Sequence, residues 1–140
     1  NFQGLKYFDS GLNAYLFGAV DDILQFSDGS LAVIDYKSSG AKEVRVYDDY
    51  QTQMDVYSYI LNQLGEPTAG KAFFVFYQVD KEHGFEGRLP FKGIIKEVKT
   101  DLSYVGDLFD KAVHLARSDT PPPSHTECAY CVWAGHHKEL

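Results

Sequence analysis

Asp21 and Asp22 interrupt a run of apolar residues, and Asp35 and Lys37 close the next one, in GAVDDILQFSDGSLAVIDYKSSG at 18–40. Charges on a mostly buried sheet are costly unless an ion pair, solvent at an edge or a metal compensates them. Residues two apart on a strand share a face, so Asp35 and Lys37 point the same way. The acid that joins them depends on the turn between the two runs. A two-residue Asp28-Gly29 turn sets Asp22 opposite Asp35. A three-residue loop, 27–29 with Gly29 left-handed, pairs Phe26 with Ser30 and sets Asp21 there. Either register puts two carboxylates beside a lysine, an oxygen site suited to Mg²⁺ or Mn²⁺. Such an ion can bind a phosphate oxygen and lower the pKa of a bound water. The lysine can orient that water or stabilise charge in the transition state. The plainer alternative is a cross-strand Asp–Lys ion pair with a structural role.

A second set of donors closes the chain. Cys128 and Cys131 stand three residues apart, with His125, His136 and His137 nearby. A tetrahedral zinc site could draw on Cys128, Cys131 and His137. The simpler expectation is two reduced cysteines packed with Trp133. Two cysteines make no disulfide framework, so an intracellular, cytoplasmic protein is expected.

The elements that must position these groups follow from patterning. Apolar and aromatic residues from Asn13 to Phe26 predict one strand, SDGS (27–30) a hairpin turn, and LAVIDYK (31–37) a short central strand. Tyr47, Tyr50, Met54, Tyr57, Leu61 and Leu64 recur at helical spacing, with Gly65 as C-cap and Pro67 as the stop. Gln53 falls on the flank of that helix, over Tyr57 and Ile60, where a half-exposed polar residue is the ordinary expectation. KAFFVFYQV (71–79) is the strongest strand. RLPFKGIIKEVKT (88–100) reads as an edge strand, because Pro90 and Gly93 suit an edge. Residues 103–119 predict a second helix, TPPPS (120–124) a stiff linker, and the Cys/His segment a small terminal knot. The order implies a mixed α/β domain on a small sheet.

With the elements in order, GAVDDI followed by LAVIDYKSS resembles the signature of the PD-(D/E)XK nucleases, in the branch of RecB-type and CRISPR-associated exonucleases. Gly18, Val20 and Asp21 match the first motif, Asp35, Tyr36, Lys37 and Ser38 the second, and Gln53 with Tyr57 the Q-x-x-x-Y helix motif. The resemblance implies a restriction-endonuclease-like core over residues 1–120, with the Cys/His tail (121–140) packed on it. It selects Asp21 over Asp22. It makes Asp21, Asp35 and the Tyr36 carbonyl the ligands of Mg²⁺ or Mn²⁺, gives Lys37 a catalytic role, and brings Gln53 and Tyr57 to the active site. The chain departs from the family twice. No His precedes Asp21, where many members carry a further ligand on an upstream helix; either that helix is missing here or the site has only two acidic side chains. The late cysteine pattern ends in His137 and has no early Cys partner, so no four-thiolate iron–sulfur cluster is expected.

Bulk composition limits the partners. The 140 residues are 44% hydrophobic and 15% aromatic, which suits one folded domain. No apolar run is long enough for a membrane helix and no signal peptide opens the chain, so no membrane partner is expected. A net charge of −7 excludes a protein that coats nucleic acid by bulk attraction. The local basic excess is Arg88, Lys92, Lys96 and Lys99. The expected activity is a metal-dependent deoxyribonuclease, by the resemblance an exonuclease, acting on single-stranded or duplex DNA ends in repair, recombination or phage- or CRISPR-type processing. The alternative is a nuclease-fold binding module inside a larger protein complex.

Overall fold

The computed structural model describes residues 4–82 and 87–136. A four-stranded mixed sheet carries the site, in the order β3-β4-β5-β6: β3 (Asp22–Gln25), β4 (Leu31–Ser39), β5 (Lys71–Val79) and β6 (Phe91–Lys99). β4 and β5 run parallel, joined by α1 (Asp48–Gln63), while β3 and β6 flank them antiparallel. The architecture is the small mixed sheet flanked by helices that the sequence implied. Thr120–Ser124 forms no helix or strand.

The first apolar stretch is not one strand. It divides into β2 (Ala14–Gly18) and β3, because β2 leaves the main sheet to pair with β1 (Leu5–Asp9) in a separate hairpin against α1. β1 was not legible in the sequence. Leu5, Tyr7 and Asp9 alternate with exposed Lys6 and Phe8, so half of its aromatic residues face outward. The terminal knot contains a short helix, α3 (Ala129–His136), on which Tyr130 and Trp133 are well exposed.

α1 is set by its ends and its buried face. Asp48 and Asp49 place negative charge in its first turn, which suits the helix dipole. Its end is a Schellman motif: Gly65, at φ +85°, gives its N–H to the Asn62 carbonyl, and Glu66 gives its own to Leu61. Met54, Tyr57 and Leu61 pack on Val33, Ala72, Phe74 and Phe76 of the central strands, with Val44. Tyr47 and Leu64, expected on this face, are exposed, because they are the residues that cap α1 at its two ends and lie outside its buried face. The far flank of α1 is buried instead by the segment after β6. There Asp55, 1% exposed, accepts hydrogen bonds from Gln51 Nε2, the Asp101 N–H and the Tyr104 hydroxyl. α2 (Val105–Ala116) follows and buries Val105 and Phe109; just past it Arg117 donates to the Leu12 and Asn13 carbonyls in the β1–β2 turn.

Cross-strand pairing sorts the side chains by face. The rows Asp35–Phe74–Lys96, Lys37–Phe76–Ile94 and Ser39–Gln78–Lys92 lie under α1 and the chain leading into it. Tyr36 and Tyr77 stack on the opposite face, ring centroids 6.2 Å apart. The basic run therefore divides, with Lys92 and Lys96 on the α1 face and Lys99 on the other, paired with Lys71.

Candidate active site

The turn between β3 and β4 decides which acid meets Asp35. The Phe26 N–H donates to the Ser30 carbonyl, the Gly29 N–H to the Phe26 carbonyl, and Gly29 sits at φ +87°. This is the three-residue loop. Its ladder pairs Asp22 with Ile34, so the next step sets Asp21 opposite Asp35. Asp21 Oδ2 accepts the Tyr36 N–H at 2.9 Å, which ties the acid across to β4. Asp22 belongs to the other face, where its carboxylate is 3.4 Å from the Tyr36 hydroxyl. Burial, and then Asp22, raise the pKa of that phenol.

Asp35 is 3% exposed and lies inside a connected polar network. Gln53 Nε2 donates to Asp35 Oδ1 at 3.2 Å and to the Tyr57 hydroxyl at 2.9 Å. Lys37 Nζ donates to Gln53 Oε1 at 3.0 Å and stands 2.8 Å from Asp35 Oδ2. That last contact is an ion pair without a directed hydrogen bond, so Oδ2 is a buried oxygen with no hydrogen-bond donor. Lys37 Nζ also lies 4.8 Å from the Tyr50 ring centroid, which adds a cation–π contact. The plainer reading of the sequence had the lysine paired across strands; the pair is within β4.

The structure thus brings Asp35, Lys37, Gln53 and Tyr57 into hydrogen-bond or ion-pair contact, with Asp21 bonded to the adjoining Tyr36 amide. Tyr50 was missed as a neighbour of the lysine, although its spacing of three from Gln53 on the helix was the available signal. Gly18 acquires a physical reason: a Cβ there would lie 2.6 Å from Cδ1 and Cε1 of Tyr57. The backbone of β2 closes against that ring, so the glycine sets where Tyr57 stands.

An Mg²⁺-type ion suits this donor set. Mg²⁺ is commonly held by one or two carboxylates and keeps several waters. Asp35 Oδ2 has an unused lone pair, and Asp21 engages Tyr36 through one oxygen only. Among the described residues no three His, Cys, Asp or Glu side chains gather as a metal cluster, so the acidic set is small. At the tail, Cys128 precedes α3, and hydrogen bonds from the Cys131 N–H and then its side chain lower the Cys128 thiol pKa. His137 lies outside the described residues, so the third donor of the zinc expectation is not placed.

A model of the PD-(D/E)XK nuclease superfamily matches residues 2–135, and the chain belongs to that superfamily. Its members are nucleases that generally use divalent metals such as Mg²⁺. Among solved structures, the crystal structure of SSO0001 aligns over 93% of this chain at 18% identity and a TM-score of 0.53, a likeness of fold. The chain spans 54% of that structure's length. No curated protein matches it. No helix among the described residues is long and apolar enough to cross a membrane.

Proposed function

We propose that this chain is a metal-dependent deoxyribonuclease acting on DNA ends, an exonuclease of the RecB-type or CRISPR-associated kind, in cytoplasmic DNA repair, recombination or DNA processing. The observation that carries the reading is the network in which Gln53 bridges Asp35, Lys37 and Tyr57 beside Asp21. Asp21, Asp35 and the Tyr36 carbonyl would hold Mg²⁺ or Mn²⁺, which when bound supplies Lewis acidity toward a phosphate oxygen. Lys37, 22% exposed at its side chain, is half-sheltered and presents its ammonium to a non-bridging phosphate oxygen or to the attacking water. Gln53 holds both Lys37 and Asp35 in place, and Tyr57 fixes the Gln53 amide. Water attacks phosphorus in line and releases a proton to solvent, the bond to the leaving oxygen breaks, and that oxygen takes up a proton from solvent.

A second reading, a nuclease-fold module that binds DNA or protein without cutting, is favoured by one observation: Lys37 already neutralises Asp35 at 2.8 Å, a pair that could be structural. Titration with Mn²⁺ by calorimetry, then Mg²⁺-dependent cleavage of 5′- and 3′-labelled single strands and duplexes, separates the two. The nuclease reading expects metal binding that Asp35→Asn abolishes, together with stepwise loss of nucleotides from an end. Metal-independent DNA binding without cleavage favours the module.

A further inference from the structure

A groove of about 500 Å³ lies on the α1 face beyond the catalytic row. Gln78 Nε2 holds the Ala41 and Lys42 carbonyls at 2.8 and 3.0 Å, and Lys81 Nζ donates to the Gly40 carbonyl. These bonds fix the chain leaving β4 against the ends of β5 and β6. Lys42, Lys81 and Lys92 line the space. Lys92 stands in the row Ser39–Gln78–Lys92, which follows Lys37–Phe76–Ile94 on the same face. Two residues of strand make that step roughly 7 Å. Asp80 and Glu82 also line the groove, but Asp80 Oδ1 already accepts the Glu82 N–H. Among the described residues that line the groove, three ammonium groups against two carboxylates leave a local positive excess on a chain of net charge −7.

We propose that this groove binds a backbone phosphate of the DNA strand away from the scissile bond, using Lys42 and Lys92, with Lys81 bracing the wall. The proposal rests on the nuclease reading for its substrate. A duplex advances about 3.4 Å per nucleotide along each strand, so the groove meets the backbone about two nucleotides from the cut. Phosphate is the fitting chemistry, because compact ammonium groups on flexible stems bind it as point charges without base preference. The groove also explains how an acidic protein can hold DNA: attraction is confined to one short track.

The test compares the parent with Lys42→Gln, Lys92→Gln and the double variant, each checked for an unchanged circular dichroism spectrum. The glutamines keep most of each side-chain stem. Anisotropy with labelled 20-nucleotide single strands and 20-base-pair duplexes, in Ca²⁺ and over a salt series, reads the slope of log K against log salt. Each lost contact should flatten that slope by about 0.7 on single strands and 0.9 on duplexes, and the double variant should bind on the order of tenfold more weakly. Lys111→Gln on α2 serves as control and should keep the parent slope. Parental slopes in the double variant, or an equal flattening in the control, overturn the groove. Cleavage of the same DNA by the parent in Mg²⁺ is scored separately. Cleavage with unaltered slopes refutes the groove alone, whereas flattened slopes without any cleavage support the groove and refute the nuclease reading.

Discussion

Gly18→Ala tests the link between scaffold and site. The new Cβ would meet Cδ1 and Cε1 of Tyr57 at 2.6 Å and Cδ1 of Ile60 at 3.4 Å. Ordinary carbon contacts are about 3.5–4.0 Å, so the ring must retreat by about 1 Å. Tyr57 is buried against Met54, Leu61 and the sheet, which leaves it little room. Overpacking of this kind costs about 1–3 kcal/mol, which lowers the melting temperature of a domain this size by about 3–10 °C. The same shift draws the Tyr57 hydroxyl away from Gln53 Nε2, now at 2.9 Å, and loosens the hold on Asp35. A misplacement near 1 Å can cost about 100-fold in rate, so turnover should fall by 10–100-fold while Mn²⁺ affinity changes less. Melting curves, calorimetry and end-labelled DNA cleavage on one preparation read all three. Tyr57→Leu in the Gly18→Ala background should recover part of the stability but none of the turnover, because the smaller side chain removes the clash and the hydroxyl together. The reasoning fails if Gly18→Ala melts with the parent, or if the double variant is less stable than the two single losses added together.

Lys37→Ala should bind Mn²⁺ at least as tightly as the parent, because a competing cation is gone, yet lose about 10²–10³-fold in cleavage; near-normal turnover would return Lys37 to a structural role. Asp21→Asn should remove metal binding while Asp22→Asn leaves it within a few-fold, since only Asp21 sits at the register of Asp35; calorimetry on both decides it. Asp55→Ala leaves the Gln51, Asp101 and Tyr104 donors without their buried acceptor and should cost about 2–4 kcal/mol in urea unfolding. Cys128 should react with iodoacetamide at a lower pH than a free cysteine peptide, because the Cys131 N–H favours the thiolate; an alkylation midpoint at or above the peptide's contradicts this.

The legible parts of the fold were those in which one face is buried and the other is not. The α1 pattern comes from burial against a single partner layer, which writes a clear period into the chain, β5 shows as an apolar run, and Pro90 and Gly93 mark β6 as an edge. The division at 19–21 was illegible because the residues on both sides of it are apolar and aromatic. Only the tertiary pairing of β2 with β1 separates them from β3. The hairpin register was open in the residues and turned on whether Gly29 is left-handed, a backbone property that SDGS permits but does not impose. Asp35 and Lys37 were legible as a pair from strand parity alone. The bridging role of Gln53 was not, since a helix flank reads as half-exposed until the sheet beneath it is in place. Lys42 and Lys81 sit in connecting segments whose spacing carries no period, so their meeting with Lys92 depends entirely on how the strands end.

The central parallel pair also orders the way the molecule must assemble. β3 with β4, and β5 with β6, are near neighbours in the chain and need no crossover to pair. β4 and β5 can meet only after the whole crossover through α1 is gathered, and gathering so long a segment costs more chain entropy before any contact rewards it. Asp35 lies on one side of that late junction and Gln53 on the element that closes it. A half-assembled chain would therefore hold three separate hairpins without the Asp35–Gln53 contact, and on the nuclease reading proposed above it would be harmless to DNA until that contact forms. Pulsed hydrogen exchange during refolding should protect the β5–β6 amides before those shared by β4 and β5.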